Sequence, residues 1–262
     1  MNKIALGIEY SGTNYCGWQR QKHCDSVQAQ VEQALSKIAA EPIGLFCAGR
    51  TDTAVHGLGQ VVHFETTADR PMQAWVRGTN TQLPGDVRVA WAKAQDNDFH
   101  ARFSAFARQY RYVIYNREVN SAVLHNRVTW EPHLLDVEKM HLAAQSLVGE
   151  NDYSSFRASA CQAQNAIREV QFLKVSRSGD MVFIDIKANA FLHHMVRNIA
   201  GTLIQIGRAQ KPIEWVAEVL AMENRRMAAP TAPASGLYFV NAFYPDEYAI
   251  PLVEIDEVLW QS

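Results

Sequence analysis

Residues 43–64 read IGLFCAGRTDTAVHGLGQVVHF. The two ends, IGLFCA and VVHF, are short apolar runs rich in β-branched and aromatic residues, which is strand composition. Between them lies GRTDTAVHGLGQ (49–60), a glycine-bracketed turn that sets Arg50, Thr51 and Asp52 side by side. In extended backbone, residues two apart point the same way, so Arg50 and Asp52 share a side. Asn, Ser or Lys would serve a solvated turn equally well, and a lone Asp in a turn ordinarily bonds its own backbone. Position singles this one out, because a carboxylate at the mouth of an apolar strand is held more firmly than one on a long loop.

The strand–turn–strand unit is the centre of a larger order. Upstream, KIALGIEY (3–10) alternates as a strand, and SVQAQVEQALSKIAA (26–40) sets Val27, Val31, Leu35 and Ile38 on one helical stripe behind Ser26 as N-cap. Downstream, PMQAWVRGTNTQL (71–83) opens on proline as a helix does, and VRVAWAKA (87–94) returns as a strand. The order is β-α-β-β-α-β. The second half repeats it with RQYRYVIYN (108–116), a helix over 136–149 capped by Asp136 and ended by Gly149, and the hairpin of 167–176 with 181–188. Helices over 192–207 and 212–222 and the strand GLYFVNAFY (236–244) complete the repeat. The expected fold class is therefore α+β, with two ferredoxin-like (βαββαβ) subdomains whose antiparallel sheets flank a central catalytic cleft. The subdomains are expected at 1–105, carrying the Asp52 turn, and 106–262.

With 48% hydrophobic and 20% charged residues, the composition is that of a water-soluble globular protein. No window reaches the roughly 18 apolar residues of a membrane helix, and the N-terminus lacks the pattern of a signal peptide. A cytoplasmic protein is expected. The net charge of −2 hides basic segments. Residues 99–127 hold five arginines against Glu118 alone, and residues 157–211 hold eight basic residues against three acids. Folded together, these segments are expected to form one phosphate-binding surface. Cys16, Cys24, Cys47 and Cys161 form no C-x-x-C pair, and reduced thiols are expected.

Three further stretches carry chemistry. In ANAFLHHMVRNIAGTLIQIG (188–207), an apolar stripe runs from Leu192 to Ile206 with Arg197 at its flank, placed to snorkel or to pair with a buried carboxylate. On a helix, His193 and His194 stand about 100° apart and cannot face one ion, so no metal is expected there. RQYRYVIYN interleaves arginines with Tyr110 and Tyr112, as a base-stacking surface or as ordinary strand core. YSGTNYCGWQRQ (10–21) is glycine-rich but lacks both phosphate-loop patterns, so no nucleotide cofactor follows.

GRTDTAVHGLGQVVHF resembles the catalytic motif of the tRNA pseudouridine synthase A family. YSGTNYCGWQRQ, NTQLPGDVRV, FHARFSAFARQYRYVIYN and DIKANAFLHHMVRNIAGTLIQIG resemble family blocks spread over nearly the whole chain. The resemblance implies the pseudouridine synthase fold and a homodimeric isomerase without cofactor or metal. It implies that uridine becomes pseudouridine at positions 38, 39 and 40 of the tRNA anticodon arm, with Asp52 as nucleophile. Tyr110 would stack on the uracil and assist deprotonation at C5. Arg197 would pair with Asp52, Leu237 would line the pocket, and Arg50 would hold the loop or the RNA backbone. One departure is Ala54, where the family has Gly. A left-handed backbone there would cost Ala about 1 kcal/mol. Two rival readings are an RNA-binding module whose catalysis has lapsed, which Ala54 would favour, and a metal-dependent nuclease built on Asp52, His56 and His63.

Overall fold

The helical stripe and the alternating strands of the first half bury one another. In the computed structural model, which describes residues 1–159 and 161–255, the chain divides into two units. One comprises Met1–Phe106 with Phe239–Glu254, and the other centres on Ala107–Tyr238. The first unit runs β1 (Asn2–Tyr10), α1 (Val27–Ala39), β2 (Phe46–Cys47), β3 (His56–Thr66), α2 (Thr79–Gln82) and β4 (Val87–Gln95). This is the β-α-β-β-α-β order expected. β1 lies between β3 and β4, antiparallel to both, and β2 pairs with β3 so that Phe46 stands opposite His63. Val27, Val31 and Leu35 of α1 join Ile4, Leu6, Ile8, Phe64 and Trp75 in one core cluster. Val31 and Leu35 are fully buried, each contributing roughly 1.5–3 kcal/mol. Ser26 caps α1 as expected, its hydroxyl accepting from the Ala29 N–H at 3.4 Å.

The second unit runs β5 (Ala107–Asn116), β6 (Thr129–Glu131), α3 (Val137–Ala144), β7 (Gly149–Asp152), β8 (Ile167–Ser178), β9 (Met181–Ala188), α4 (Met195–Gly207) and α5 (Trp215–Ala221). Its strands follow the order β5-β9-β8-β7, each neighbour antiparallel, with β6 parallel to β5. The architecture is α+β. β6 and β7 are too short to show an alternating pattern in the sequence. Asp136 caps α3 by accepting the Lys139 N–H at 3.0 Å, but the helix ends at Ala144, well before Gly149. α4 starts at Met195 rather than 192, because His194 adopts a left-handed backbone with φ 62°.

β10 (Leu237–Phe243) leaves the second unit and runs beside β3. There Phe106 donates to the Phe243 carbonyl at 2.9 Å, and the Asn241 amide exchanges two hydrogen bonds with the Val253 backbone. Phe239–Glu254 thus packs with the first unit, whereas the sequence reading assigns all of 106–262 to the second subdomain. Long-range strand pairing of this kind leaves no trace in local periodicity.

Much of the basic excess proves structural. Arg111 and Asp185, both buried, form a two-pronged ion pair at 2.7 and 3.0 Å on the β5–β9 ladder, with the guanidinium over Phe183. Removing either partner would cost about 3–5 kcal/mol. Arg177 reaches Asn116 and the Leu135 carbonyl, Arg157 binds the carbonyls of Cys161 and Ala163, and Arg208 pairs with Glu131. The interleaved face of β5 is likewise mostly core. Tyr112 is fully buried, sharing a hydrogen bond with Thr129 and donating to the Pro233 carbonyl at 2.8 Å. Among the described residues, no helix is long and apolar enough to cross a membrane.

His63 titrates against this packing. Its Nδ1 accepts the Ala101 N–H at 3.1 Å, and burial, then the nearby His100 and Lys3, push its imidazole down to about 4. The unfolded chain binds this proton near pH 6.5. The neutral form therefore contributes stability that is complete above about 6.5 and is lost as pH falls toward 4. Urea midpoints measured from pH 7 to pH 4 are expected to fall, and His63→Asn is expected to flatten that fall. Equal slopes for both proteins would contradict this role.

Candidate active site

The Asp52 turn is held by the loop that follows β1. Residues 50–52 alternate as extended backbone does, with Arg50 exposed, Thr51 buried and Asp52 half-buried. Thr51 is gripped twice. Its hydroxyl shares a 2.8 Å hydrogen bond with the Tyr10 hydroxyl, and its carbonyl accepts the Trp18 N–H at 3.0 Å. The Gln60 side chain clamps Gly49, donating to its carbonyl at 2.6 Å and accepting its N–H at 3.3 Å. The Ala54 N–H donates to the Tyr15 carbonyl at 3.3 Å, and the Val55 N–H closes the turn onto the Asp52 carbonyl at 3.2 Å.

The supporting loop is itself anchored. Asp86 accepts from the Tyr15 hydroxyl at 2.6 Å and from the Asn14 amide at 3.0 Å, while its carbonyl takes the Ser11 N–H at 2.9 Å. Burial, then the Asp86 carboxylate, raises the Tyr15 phenol above its ordinary range, so it stays a neutral donor. Burial likewise raises Tyr10. Cys16 and Cys24 are joined as a disulfide with Cα atoms 6.2 Å apart, which corrects the expectation of free thiols for this pair. Sequence spacing could not show it, because the loop folds back on itself between them.

Gly17 explains why the loop is glycine-rich. Its φ is +98°, and a Cβ there would fall 2.6 Å from the Thr51 carbonyl oxygen and 3.0 Å from the Asp52 carbonyl carbon. The left-handed residue inside the turn is not Gly49 but Ala54, at φ 64°. Ala54 therefore occupies the conformation that glycine favours, at a cost of about 1 kcal/mol. The surrounding hydrogen bonds impose it, and they leave the turn closed.

Tyr110, Arg197 and Leu237 all lie in the second unit. Tyr110 sits on β5 opposite Ile186, with its ring edge-on to Phe191 at 4.9 Å and 8% of its surface exposed. Arg197 is half-buried in the first turn of α4, where its Nε donates to the Ala232 carbonyl at 2.9 Å and its own carbonyl accepts the Ala232 N–H at 3.1 Å. Leu237 opens β10 at 5% exposure. One strap of chain ties Arg197 and Leu237 to β5, where it meets Tyr112 rather than Tyr110. Residues 230–237 cross α4 so closely that a Cβ on Gly201 would stand 2.2 Å from the Pro230 carbonyl oxygen. The strap then binds Arg197 through Ala232, receives the Tyr112 hydroxyl at Pro233, and ends at Leu237. Sequence reasoning missed it, since APTAPASG (229–236) reads as an ordinary connection rich in alanine and proline.

His56 and His63 have structural duties. His56 is buried with its Nδ1 accepting the Gly12 N–H at 3.1 Å, and His63 holds Ala101. His193 and His194 precede α4, and their rings lie 4.0 Å apart. The helical separation expected from the sequence does not apply to them.

The sequence matches the family described as tRNA pseudouridine synthase over residues 7–104 and 143–245. A tRNA pseudouridine synthase A from Hydrogenovibrio crunogenus is 66% identical over 262 residues, the full length of both chains. The one from Glaesserella parasuis is 55% identical over 98% of each chain. The one from Escherichia coli is 57% identical over 95% of this chain and 92% of its own.

The glycine contact yields a test. Gly17→Ala is expected to push the Thr51–Asp52 backbone aside and to slow turnover on the order of 10²-fold, with tRNA binding retained. Turnover rates and circular dichroism on one preparation check this; an unchanged rate would show that the turn does not depend on the loop.

Proposed function

The chain belongs to the tRNA pseudouridine synthase family, and from that premise we propose that it isomerises uridine to pseudouridine at positions 38, 39 and 40 of the tRNA anticodon arm. The observation that carries the proposal is the braced carboxylate of Asp52, whose neighbours Thr51 and Gly49 are fixed while its own side chain is half-buried rather than sealed in the core.

The reaction breaks the bond between N1 and C1′, turns the freed uracil, and joins C5 to C1′. A proton leaves C5 and one is gained at N1. Nothing is oxidised and no water is consumed, so the chemistry calls for neither a nicotinamide nor a metal. Asp52 supplies the anionic oxygen at the sugar, as nucleophile toward C1′ or as base in a glycal route. Arg197 pairs with Asp52 and keeps it charged and oriented. Tyr110 stacks on the uracil so that it rotates without escaping, and Leu237 supplies apolar wall. Arg50, exposed beside Asp52, meets the RNA backbone. The target base is flipped from its stack before any of this occurs. The protein works in the cytoplasm as a homodimer.

Tritium release from tRNA labelled at uracil C5, in the presence of EDTA, tests the proposal, because C5 loses its hydrogen only when the new carbon–carbon bond forms. Wild type is expected to release tritium, and Asp52→Asn is expected to bind tRNA without releasing any. Release by the variant would remove Asp52 as the essential carboxylate. Cleaved RNA, or loss of wild-type activity in EDTA, would replace the isomerase with a metal-dependent nuclease.

A further inference from the structure

Outside the Asp52 turn, the first unit carries a contiguous ring of aromatic side chains at its surface. Phe46 lies flat on His63, with ring centroids 5.1 Å apart and planes 18° from parallel, and meets His100 at 5.3 Å. His100 in turn is 4.6 Å from His63 and 4.3 Å from Phe103. The lower member, His63, is buried, whereas Phe46 is 57% and Phe103 74% exposed. Two large rings so placed are not core that failed to close. They rest on buried or half-buried rings and turn the rest of their surface to water.

The support is rigid. The Arg102 and Phe103 N–H groups donate to His100 Nδ1 at 3.1 and 3.3 Å. The His100 N–H donates to the Ser104 hydroxyl at 2.9 Å, and the Ser104 N–H returns to the His100 carbonyl at 2.9 Å. The turn that displays Phe103 is therefore closed by four hydrogen bonds before any ligand arrives. The charge around it is positive. The Arg102 guanidinium sits 5.4 Å from the Phe103 ring, and both Arg50 and Arg102 act electrostatically on Cys47, the neighbour of Phe46. Phe46 also lies three residues before Gly49, on the strand that leads into the Asp52 turn.

We propose that Phe46, His100 and Phe103, with Arg102 at their edge, form a stacking platform for an unpaired nucleobase of the tRNA, distinct from the uridine that reacts. Rings offer a base its π-face whatever its identity, and guanidinium groups meet the adjoining phosphates. The inference rests on the reading of the protein as a tRNA-modifying enzyme, and it assigns the platform to binding rather than to chemistry.

Phe103 is the residue to vary, since its exposure lets it change without disturbing the core. Phe103→Leu is expected to raise the KM for tRNA and the Kd by roughly 5- to 100-fold, with kcat at saturating tRNA unchanged. Phe103→Trp is expected to restore both constants, and the emission of its introduced indole to be quenched when tRNA is added. Wild-type affinity in Phe103→Leu, or indole emission indifferent to tRNA, would overturn the platform. Conversion of Phe103→Leu to a smaller species in analytical ultracentrifugation would overturn it too, assigning the patch to a second copy of the chain. Wild type that binds tRNA through Phe103 yet releases no tritium from C5 would refute the isomerase reading and leave the platform standing.

Discussion

Everything proposed for Asp52 depends on the double grip on Thr51. A carboxylate whose function is positional must be held through its backbone, because side-chain contacts that fixed it from all sides would also block its substrate. Tyr10 takes the Thr51 hydroxyl and Trp18 takes the carbonyl, so one residue is fixed on two sides immediately before Asp52. Gln60 does the same for Gly49. The grip is only as firm as what lies behind it. Tyr10 ends β1, which is paired on both sides by β3 and β4, and the loop carrying Trp18 is tied to Asp86 by three hydrogen bonds and to itself by Cys16 and Cys24.

A cost accompanies this arrangement. Ala54 is held at φ 64°, where a residue with a Cβ is strained by about 1 kcal/mol. Small residues elsewhere allow the close approaches the turn needs, Gly17 most directly. Strain at a site is sustained when surrounding contacts over-determine the backbone, and the contacts to Tyr15, Trp18 and Gln60 do so here. Ala54 is therefore weak support for lapsed catalysis, since the turn closes around it in the conformation that glycine would have taken.

The order of elements was legible because amphipathic periods are local: the α1 stripe, the alternation of β1 and the Ser26 cap are each decided within a dozen residues. The Asp52 turn was legible for the same reason, and Arg197 stood out as a lone cation flanking an apolar stripe. What stayed hidden is non-local. β10 joins the first unit through pairing with residues distant in sequence, and β6 and β7 are too short for a pattern. The arginines expected to build a phosphate surface include Arg111, whose partner Asp185 lies on another strand, and periodicity does not report such pairs. The start of α4 was misjudged because nothing in LHHM signals that His194 is left-handed.

The measurement that bears most directly on the braced carboxylate is a single-turnover rate for Asp52→Glu, with the Kd for tRNA determined on the same protein. The substitution keeps the charge and the backbone grip and moves the carboxylate by one methylene. If position governs, the rate falls on the order of 10²-fold or more while the Kd stays unchanged. A rate near wild type would contradict the account, since it would mean that a negative charge in the turn is enough and that the grip on Thr51 serves only the fold.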